Sequence, residues 1–410
     1  MGAIAICQRI GLVAVLGLVL PACESTLGGT FGGTGSGGTG GQGTELDGFT
    51  GASITNNVLV DPFGLAGFRG SDTAAPTNLF VSLNRDDTGA SDRARIVSFP
   101  VGSSSPTVTT VFANGEPPVV IDAFDVTQLS NPTGIAYNPT TRDLLVADNT
   151  PFAQGGRCPG TLERVDADLD FRIAALNVTS ATSTLSFDCL TTSAVNNAVV
   201  SGPSGPATVS FNPRDFQPEQ LAVAGNVLYA VDRGNGVVLR FALTGASVSA
   251  AIVAHNLRSP GQLVLTSTTP RTLYVADESL NNIVVVEDPD TLASTQQSVD
   301  AGDTANRLII NDPVDGVDPD GPVAIQFLDS GELSLLSMNG RSDFLDLIEL
   351  RAGTKRGTQL DDLDLTTLSG VASSSLTDVR AAVRVSSGTS IQLYITNRAT
   401  SGNVVRLSKG

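Results

Sequence analysis

Leu273-Tyr274-Val275-Ala276-Asp277, followed by Asn281-Asn282-Ile283-Val284-Val285-Val286, decides the fold. It reads as a strand, a polar turn and a return strand. Short apolar runs bounded by Gly, Pro, Asn and Asp carry the β signature. The phrase is preceded by Pro260-Gly261-Gln262-Leu263-Val264, which supplies an opening strand.

Working outward, the same grammar recurs. A Pro or Gly opens it, a second strand ends in Asp or Asn, and a Val/Ile-rich strand follows. Pro218-Glu219-Gln220-Leu221-Ala222 leads to Leu228–Asp232 and Val237–Phe241. Pro132-Thr133-Gly134-Ile135-Ala136 leads to Leu144–Asp148 and Leu162–Val165. Further copies open at Pro62, Pro322 and Gly370, the last ending in Leu393–Asn397 and Val404–Leu407. Six copies of a several-stranded unit predict an all-β, six-bladed β-propeller. Helical signals are nearly absent. The openers are unevenly spaced, and the widest insertions fall between Asn149 and Asn212. Long loops of that kind often carry function.

Three regions are expected. Residues 1–23 read as a lipoprotein signal peptide: Ile10 to Leu20 is apolar but too short to cross a bilayer as a helix. It ends in Leu20-Pro21-Ala22-Cys23, which resembles the bacterial lipobox, with Cys23 as the lipidated residue. Residues 24–53 read as a flexible tether, because Gly occupies ten of the sixteen positions from 28 to 43. Residues 54–410 form the propeller, with Ile54 to Val60 expected as the outer strand that closes the last blade. This organisation predicts an exported protein moored to a membrane by lipid. Glu24 follows the Cys, and by resemblance to the sorting rules of Gram-negative bacteria the lack of Asp there implies the outer membrane, at its periplasmic face or on the cell surface.

Of the four cysteines, Cys7 leaves with the signal and Cys23 takes the lipid. Cys158 and Cys189 are expected to pair as a disulfide, worth roughly 3–4 kcal/mol in the loop-entropy model. Asp148, Asp232, Asp277 and Asn397 stand at matching strand ends. Two readings are open: a ring of metal ligands, or turn residues accepting local backbone N–H groups. Repetition in blade after blade favours the second. The loop from Asn311 to Gly321 is dense in acids, and Asp315, Asp318 and Asp320 are its candidate Ca²⁺ ligands, against a reading as a solvated acidic loop. Asp361, Asp362 and Asp364 form a second acidic cluster.

Composition excludes several classes. His255 is the only histidine, so a His-rich metal site is impossible, and no GxSxG elbow supports a serine hydrolase. No Trp occurs and aromatic residues make up 5%, which argues against sugar-stacking and quinone-binding propellers. The net charge of −17 argues against nucleic acid and anionic lipid headgroups as partners.

The stretches PTGIAYNPTTRDLLVADN (132–149) and SPGQLVLTSTTPRTLYVADESLNNIVVVE (259–287) resemble NHL and YVTN-type propeller repeats. Relatives of that group include SMP-30-like lactonases, whose central divalent metal is held partly from P-N-G and P-D-G turns. Pro319-Asp320-Gly321 matches one such turn, whereas Pro132-Thr133-Gly134 has Thr in place of the Asn. The resemblance implies the fold more than the activity. The expectation is a non-enzymatic, lipid-anchored binding or scaffolding propeller, a monomer capturing an envelope protein or small ligand. The alternative is a metal-dependent lactonase or hydrolase.

Overall fold

The computed structural model describes residues 46–410 except 56–58, 60, 69–75, 84–94, 103–108, 114–131, 141–142, 149–171, 178–181, 187–194, 197–198, 203–204, 213–214, 244–249, 312–320, 341–343, 372–377, 388–389 and 399–401. Strand β1 (Thr50–Ile54) comes first. Then β2 (Pro62–Phe68), β3 (Asn78–Leu83), β4 (Arg95–Pro100) and β5 (Thr109–Ala113) form an antiparallel meander. The same pattern follows in β6 (Pro132–Asn138), β7 (Asp143–Asp148), β8 (Arg172–Asn177) and β9 (Thr182–Ser186). Short β10 (Val195–Asn196) precedes a separate hairpin, β11 (Val199–Gly202) with β12 (Gly205–Thr208).

The next sheet is β13 (Pro218–Ala224), β14 (Val227–Asp232), β15 (Val237–Ala242) and β16 (Ala250–His255), extended by β10. Strands β17 (Pro260–Leu265), β18 (Thr272–Asp277) and β19 (Asn282–Glu287) form a three-stranded sheet. Helix α1 (Pro289–Ser294) and strands β20 (Val299–Asp300) and β21 (Ile309–Asn311) follow. Next come β22 (Pro322–Phe327), β23 (Ser334–Asn339), β24 (Phe344–Leu350) and β25 (Arg356–Asp364), with β21 alongside β25. The last sheet is β26 (Val379–Ser387), β27 (Ser390–Asn397) and β28 (Asn403–Lys409), and β1 pairs antiparallel with β28.

The fold is therefore an all-β propeller. Each blade's first strand, β2, β6, β13, β17, β22 or β26, lies beside the next, and β26 lies beside β2. The sequence predicts six four-stranded blades; five sheets among the described residues have that form. The sheet β17–β18–β19 stops at three strands for a local reason. Asp288 adopts a left-handed conformation (φ 45°) and caps α1, accepting the Thr291 N–H, with Pro289 at the first helical position. The chain then turns away, and β20 pairs parallel with β16 instead. Only an isolated bridge, Val284 with Arg307, runs along the outer edge of β19.

Closure also differs in register. The strand on β28 is Thr50–Ile54, not Ile54 to Val60. Leu46 and Phe49 are buried beside Leu347, Leu365 and Leu407, so the packed structure reaches into the region expected as tether. Apolar burial here outweighs the flexibility that the preceding glycines favour.

Successive blades pack face to face through alternate residues of their strands, giving continuous cores such as Tyr229, Val231 and Val238 against Leu263, Leu273 and Val284. Near the hub the blades approach so closely that side chains must vanish. A Cβ on Gly134 would lie 2.6 Å from Gln220 Cα, and one on Gly64 would lie 2.5 Å from Thr133 O. Hydroxyls fasten the same seams. Ser82 Oγ donates to Thr133 O, Thr133 Oγ1 to Pro218 O at 3.0 Å, and Thr396 Oγ1 to Phe63 O at 2.7 Å.

Candidate functional site

Every inner strand carries a register shift just after its first residue: Pro62/Leu65, Pro132/Ile135, Pro218/Leu221, Pro260/Leu263, Pro322/Ala324 and Val379/Ala381. A bulge frees a residue from the ladder and re-aims its side chain, and bulges gather next to functional sites. The six residues placed this way around the hub are Phe63, Thr133, Glu219, Gly261, Val323 and Arg380. Four are apolar, small or satisfied. Glu219 and Arg380 are charged.

Glu219 is only 5% exposed. Arg233, in the turn after β14, lies 3.3 Å from its Oε1 and 3.5 Å from its Oε2. Burial raises the Glu219 carboxyl above its ordinary value, outweighing the opposing pull of Arg233, Arg380 and Arg398. Arg233 is about half exposed, which explains why one guanidinium does not restore the ionised form. Arg380 pairs with Asp378 at 2.6 Å and sits 5.7 Å from the Phe63 ring centroid, while its Nε is buried without an acceptor. Arg398 pairs with Asp61 at 2.6 Å. One guanidinium, Arg233, thus contacts the buried carboxyl, while Arg380 and Arg398 act on it through their charge from their own pairings with Asp378 and Asp61. A buried carboxyl of raised affinity for protons, paired with one guanidinium, suits proton transfer.

Below this level the hub is bridged. Gln220 Nε2 donates to Arg380 O at 3.0 Å. Gln262 Nε2 donates to Ala382 O at 2.7 Å, and its Oε1 accepts from Ala382 N at 2.9 Å.

The residues singled out from sequence are distributed differently. Asp232 is fully buried and turns onto its own blade, accepting from the N–H groups of Gln217, Gly234 and Asn235 and from Asn235 Nδ2. Burial pushes its carboxyl up to about 6 despite those donors. Asp277 accepts from the N–H groups of Arg258, Ser259 and Leu280. Asn397 accepts from Asp378 N and donates to Asn403. Asp148 ends β7 opposite Pro132. Among the described residues no three His, Cys, Asp or Glu side chains come together where they could hold a metal ion. Cys23, Cys158, Cys189, Asp315, Asp318 and Asp320 lie outside the described residues. Asp361 accepts from Leu46 N, and Asp364 caps a short 3₁₀ turn. His255 ends β16, away from the hub, 2.8 Å from Ser298 Oγ and 3.9 Å from Asp300; burial lowers its proton affinity.

Glu219, Arg233, Arg380, Arg398, Gln220 and Gln262 were not among the residues expected to matter. Glu219 and Gln220 stand in an opener that reads as ordinary strand. The available signal was a charged residue at a position where the other openers carry Phe, Thr, Gly or Val.

No protein-family model matches the chain, and no curated protein matches it by sequence. Solved structures do resemble it. The soluble aldose sugar dehydrogenase from Escherichia coli, in its apo form, aligns with 88% of this chain and all of its own at 11% identity and a TM-score of 0.51. A glucose dehydrogenase aligns with 87% of this chain and 98% of its own at 11% identity and a TM-score of 0.50. The PQQ-bound aldose sugar dehydrogenase from Streptomyces coelicolor aligns over 87% and 98% at 14% identity and a TM-score of 0.46. The first two show the shared β-propeller fold. The finer NHL or SMP-30 resemblance has no counterpart among these neighbours. The expected non-enzymatic scaffold is corrected too: the solved structures it resembles include an aldose sugar dehydrogenase and a glucose dehydrogenase. Among the described residues no helix is long and apolar enough to cross a membrane.

Proposed function

We propose that the hub mouth is the active site of an oxidoreductase that oxidises a hydroxyl carbon of an aldose or a related polyol. The observation that carries this reading is Glu219: a buried carboxyl on the bulge of an inner strand, paired with Arg233 at 3.3 Å and of raised proton affinity, in a propeller whose fold neighbours include dehydrogenases. The fold neighbours include an aldose sugar dehydrogenase and a glucose dehydrogenase, and the substrate class is taken from them.

Oxidising an alcohol carbon removes a proton from oxygen and a hydride from carbon. Glu219, once ionised, accepts the hydroxyl proton on one of its oxygens. Arg233 steadies the resulting change of charge at 3.3 Å. Thr133 is buried in the strand beside Glu219's, and its Oγ1 donates to Pro218 O, which closes that side of the carboxyl's strand to water. The absence of Trp argues against a quinone held by ring stacking; a quinone such as PQQ also carries several carboxylates, and Arg380, whose buried Nε lacks an acceptor, would hold them by charge instead, with Arg398 exchanging its Asp61 partner for one of them. When bound, that group supplies the two-electron acceptor for the hydride. Arg380 and Arg398 are the residues that would hold it.

The test is dye-linked oxidation of a panel of aldoses by the purified protein with added PQQ. Turnover that disappears in Glu219→Gln supports the reading. No turnover with any aldose, or full turnover in Glu219→Gln, overturns it.

A further inference from the structure

In four blades the residue after the acid or amide that ends the second strand is held in the same way. The N–H of Arg233 donates to Gln217 O at 2.9 Å, that of Glu278 to Ser259 O at 3.1 Å, that of Gly340 to Gly321 O at 2.8 Å and that of Arg398 to Asp378 O at 2.8 Å. Each acceptor immediately precedes an inner strand, β13, β17, β22 or β26. The fold therefore ties this position beside the bulges at the hub, whatever side chain stands there. In the blade of Glu219 the side chain is Arg233.

Arg233 is long and about half exposed, and among the described residues its side chain hydrogen-bonds only to Glu219, at 3.3 Å and 3.5 Å. Its aim is thus set at its root, by the turn that carries it. Asp232 builds that turn from a fully buried carboxyl that reaches past Arg233 on both sides. Oδ1 accepts from Gln217 N at 2.8 Å, from Gly234 N at 3.1 Å and from Asn235 N at 3.3 Å, and Oδ2 accepts from Asn235 Nδ2 at 2.6 Å. Asn235 in turn clasps Asn212, accepting from its N–H at 2.8 Å and donating to its carbonyl at 3.0 Å. Gly236 N closes the turn on Arg233 O at 3.3 Å. Gly234 packs so close that a Cβ there would lie 1.7 Å from Asp215 O. From Asn212 through Asn235, Asp232 and Arg233 to Glu219, every link is a hydrogen bond or a peptide bond.

We infer that Asp232, with Asn235, is a positioning residue: it fixes the turn that aims the Arg233 guanidinium at Glu219. The inference rests on the hub mouth being the functional site, and it gives this turn acid a task besides capping. A guanidinium in contact with a carboxyl favours the ionised form, so the Glu219 titration reports whether Arg233 is in place.

The experiment is a pH titration of Glu219 in the full chain, without added cofactor, by carboxyl-carbon NMR or infrared difference spectroscopy against Glu219→Gln. Arg233→Gln calibrates the loss of the contact and should raise the midpoint by about one pH unit. Asp232→Asn must turn its NH₂ toward one set of the donors it now accepts from, and should raise the midpoint by at least about half as much. Loss of the Asp232 charge alone would lower the midpoint, so the sign separates positioning from a direct charge effect. Asn235→Ala keeps Asp232, should raise the midpoint too, and decides the matter if Asp232→Asn does not fold. In the Arg233→Gln background neither change should raise it further. An unmoved or lowered midpoint in folded Asp232→Asn or Asn235→Ala, whatever their melting temperatures, overturns the inference, as does a further rise in the Arg233→Gln background. Should the midpoint rise as expected while the parent oxidises no aldose, positioning stands and the oxidoreductase reading falls. Oxidation by the parent with an unmoved midpoint gives the reverse.

Discussion

Arg398 Nε lies 2.6 Å from Asp61 Oδ1, joining residues 337 positions apart across the seam where the last blade meets the first. Asp61 holds a left-handed conformation, φ 54°, immediately before β2. The pair is partly exposed, with side chains 35% and 14% accessible, so its strength is limited by solvent. Asp61→Asn is expected to cost about 0.5–1 kcal/mol in urea unfolding. Asp61→Val should cost about 1–2 kcal/mol more, because a β-branched residue resists positive φ. Equal effects from both would show that the backbone conformation is unimportant to closure.

Thr396 makes a different kind of seam contact. It is fully buried, donates to Phe63 O and accepts from Ala381 N. Thr396→Val keeps the shape and leaves both backbone groups without partners. A loss of about 1–3 kcal/mol is expected by chemical denaturation. A change below about 0.5 kcal/mol would mean that water replaces the hydroxyl there.

Glu219 links pH to stability with a definite sign. Its folded-state proton affinity is raised above the ordinary 4.5, so the folded protein holds this proton more tightly than the unfolded chain does. The stability it contributes is fully present below pH 4.5 and is lost as pH rises through the higher folded value. Glu219→Gln should therefore flatten the fall of unfolding free energy above pH 4.5 and melt higher than the parent at pH 7. Catalysis has the opposite demand, since only the ionised carboxylate accepts a proton. Turnover should rise with pH across the same window, and a rate independent of pH there would remove Glu219 from the proton transfer.

Gly134→Ala tests how tightly adjacent inner strands approach. The added methyl would meet Gln220 Cα at 2.6 Å and the Glu219 carbonyl closer still, both backbone atoms unable to swing aside. A drop in melting temperature is expected, together with weaker protection of β13 amides from hydrogen exchange. Gly225→Ala is the control for a glycine with open space around it but positive φ. If Gly134→Ala melts no lower than Gly225→Ala, the close approach carries no cost.

Strands such as β14 and β18 were legible because their apolar runs end at a turn acid, and the hydrogen bonds of Asp232 and Asp277 show why an acid stands there: it collects three backbone N–H groups at a sharp turn. The hub was not legible. A bulge moves one residue out of a ladder without changing composition or period, so beyond its charge nothing in Pro218-Glu219-Gln220 marks Glu219 as buried and paired with Arg233. Arg380 and Arg398 lie far along the chain from it, and only ring closure brings them together. The three-stranded sheet had a signal that repeat counting passed over. Asp288-Pro289 is a helix start, and α1 consumes the residues a fourth strand would have used. The closing strand was misplaced toward Ile54–Val60 because hydrophobicity points there, whereas Thr50–Ile54 pairs through its backbone and buries fully only Ile54.

The pairing of Thr50 with Ser408 spans 358 residues. At ribosomal speeds of about 5–20 residues per second, β1 emerges roughly 20–70 s before the strand it must join. Throughout that interval its edge is open to any neighbouring chain, and no intermediate nascent length can complete the ring. Termination before β28 would thus release a product with an unsealed end.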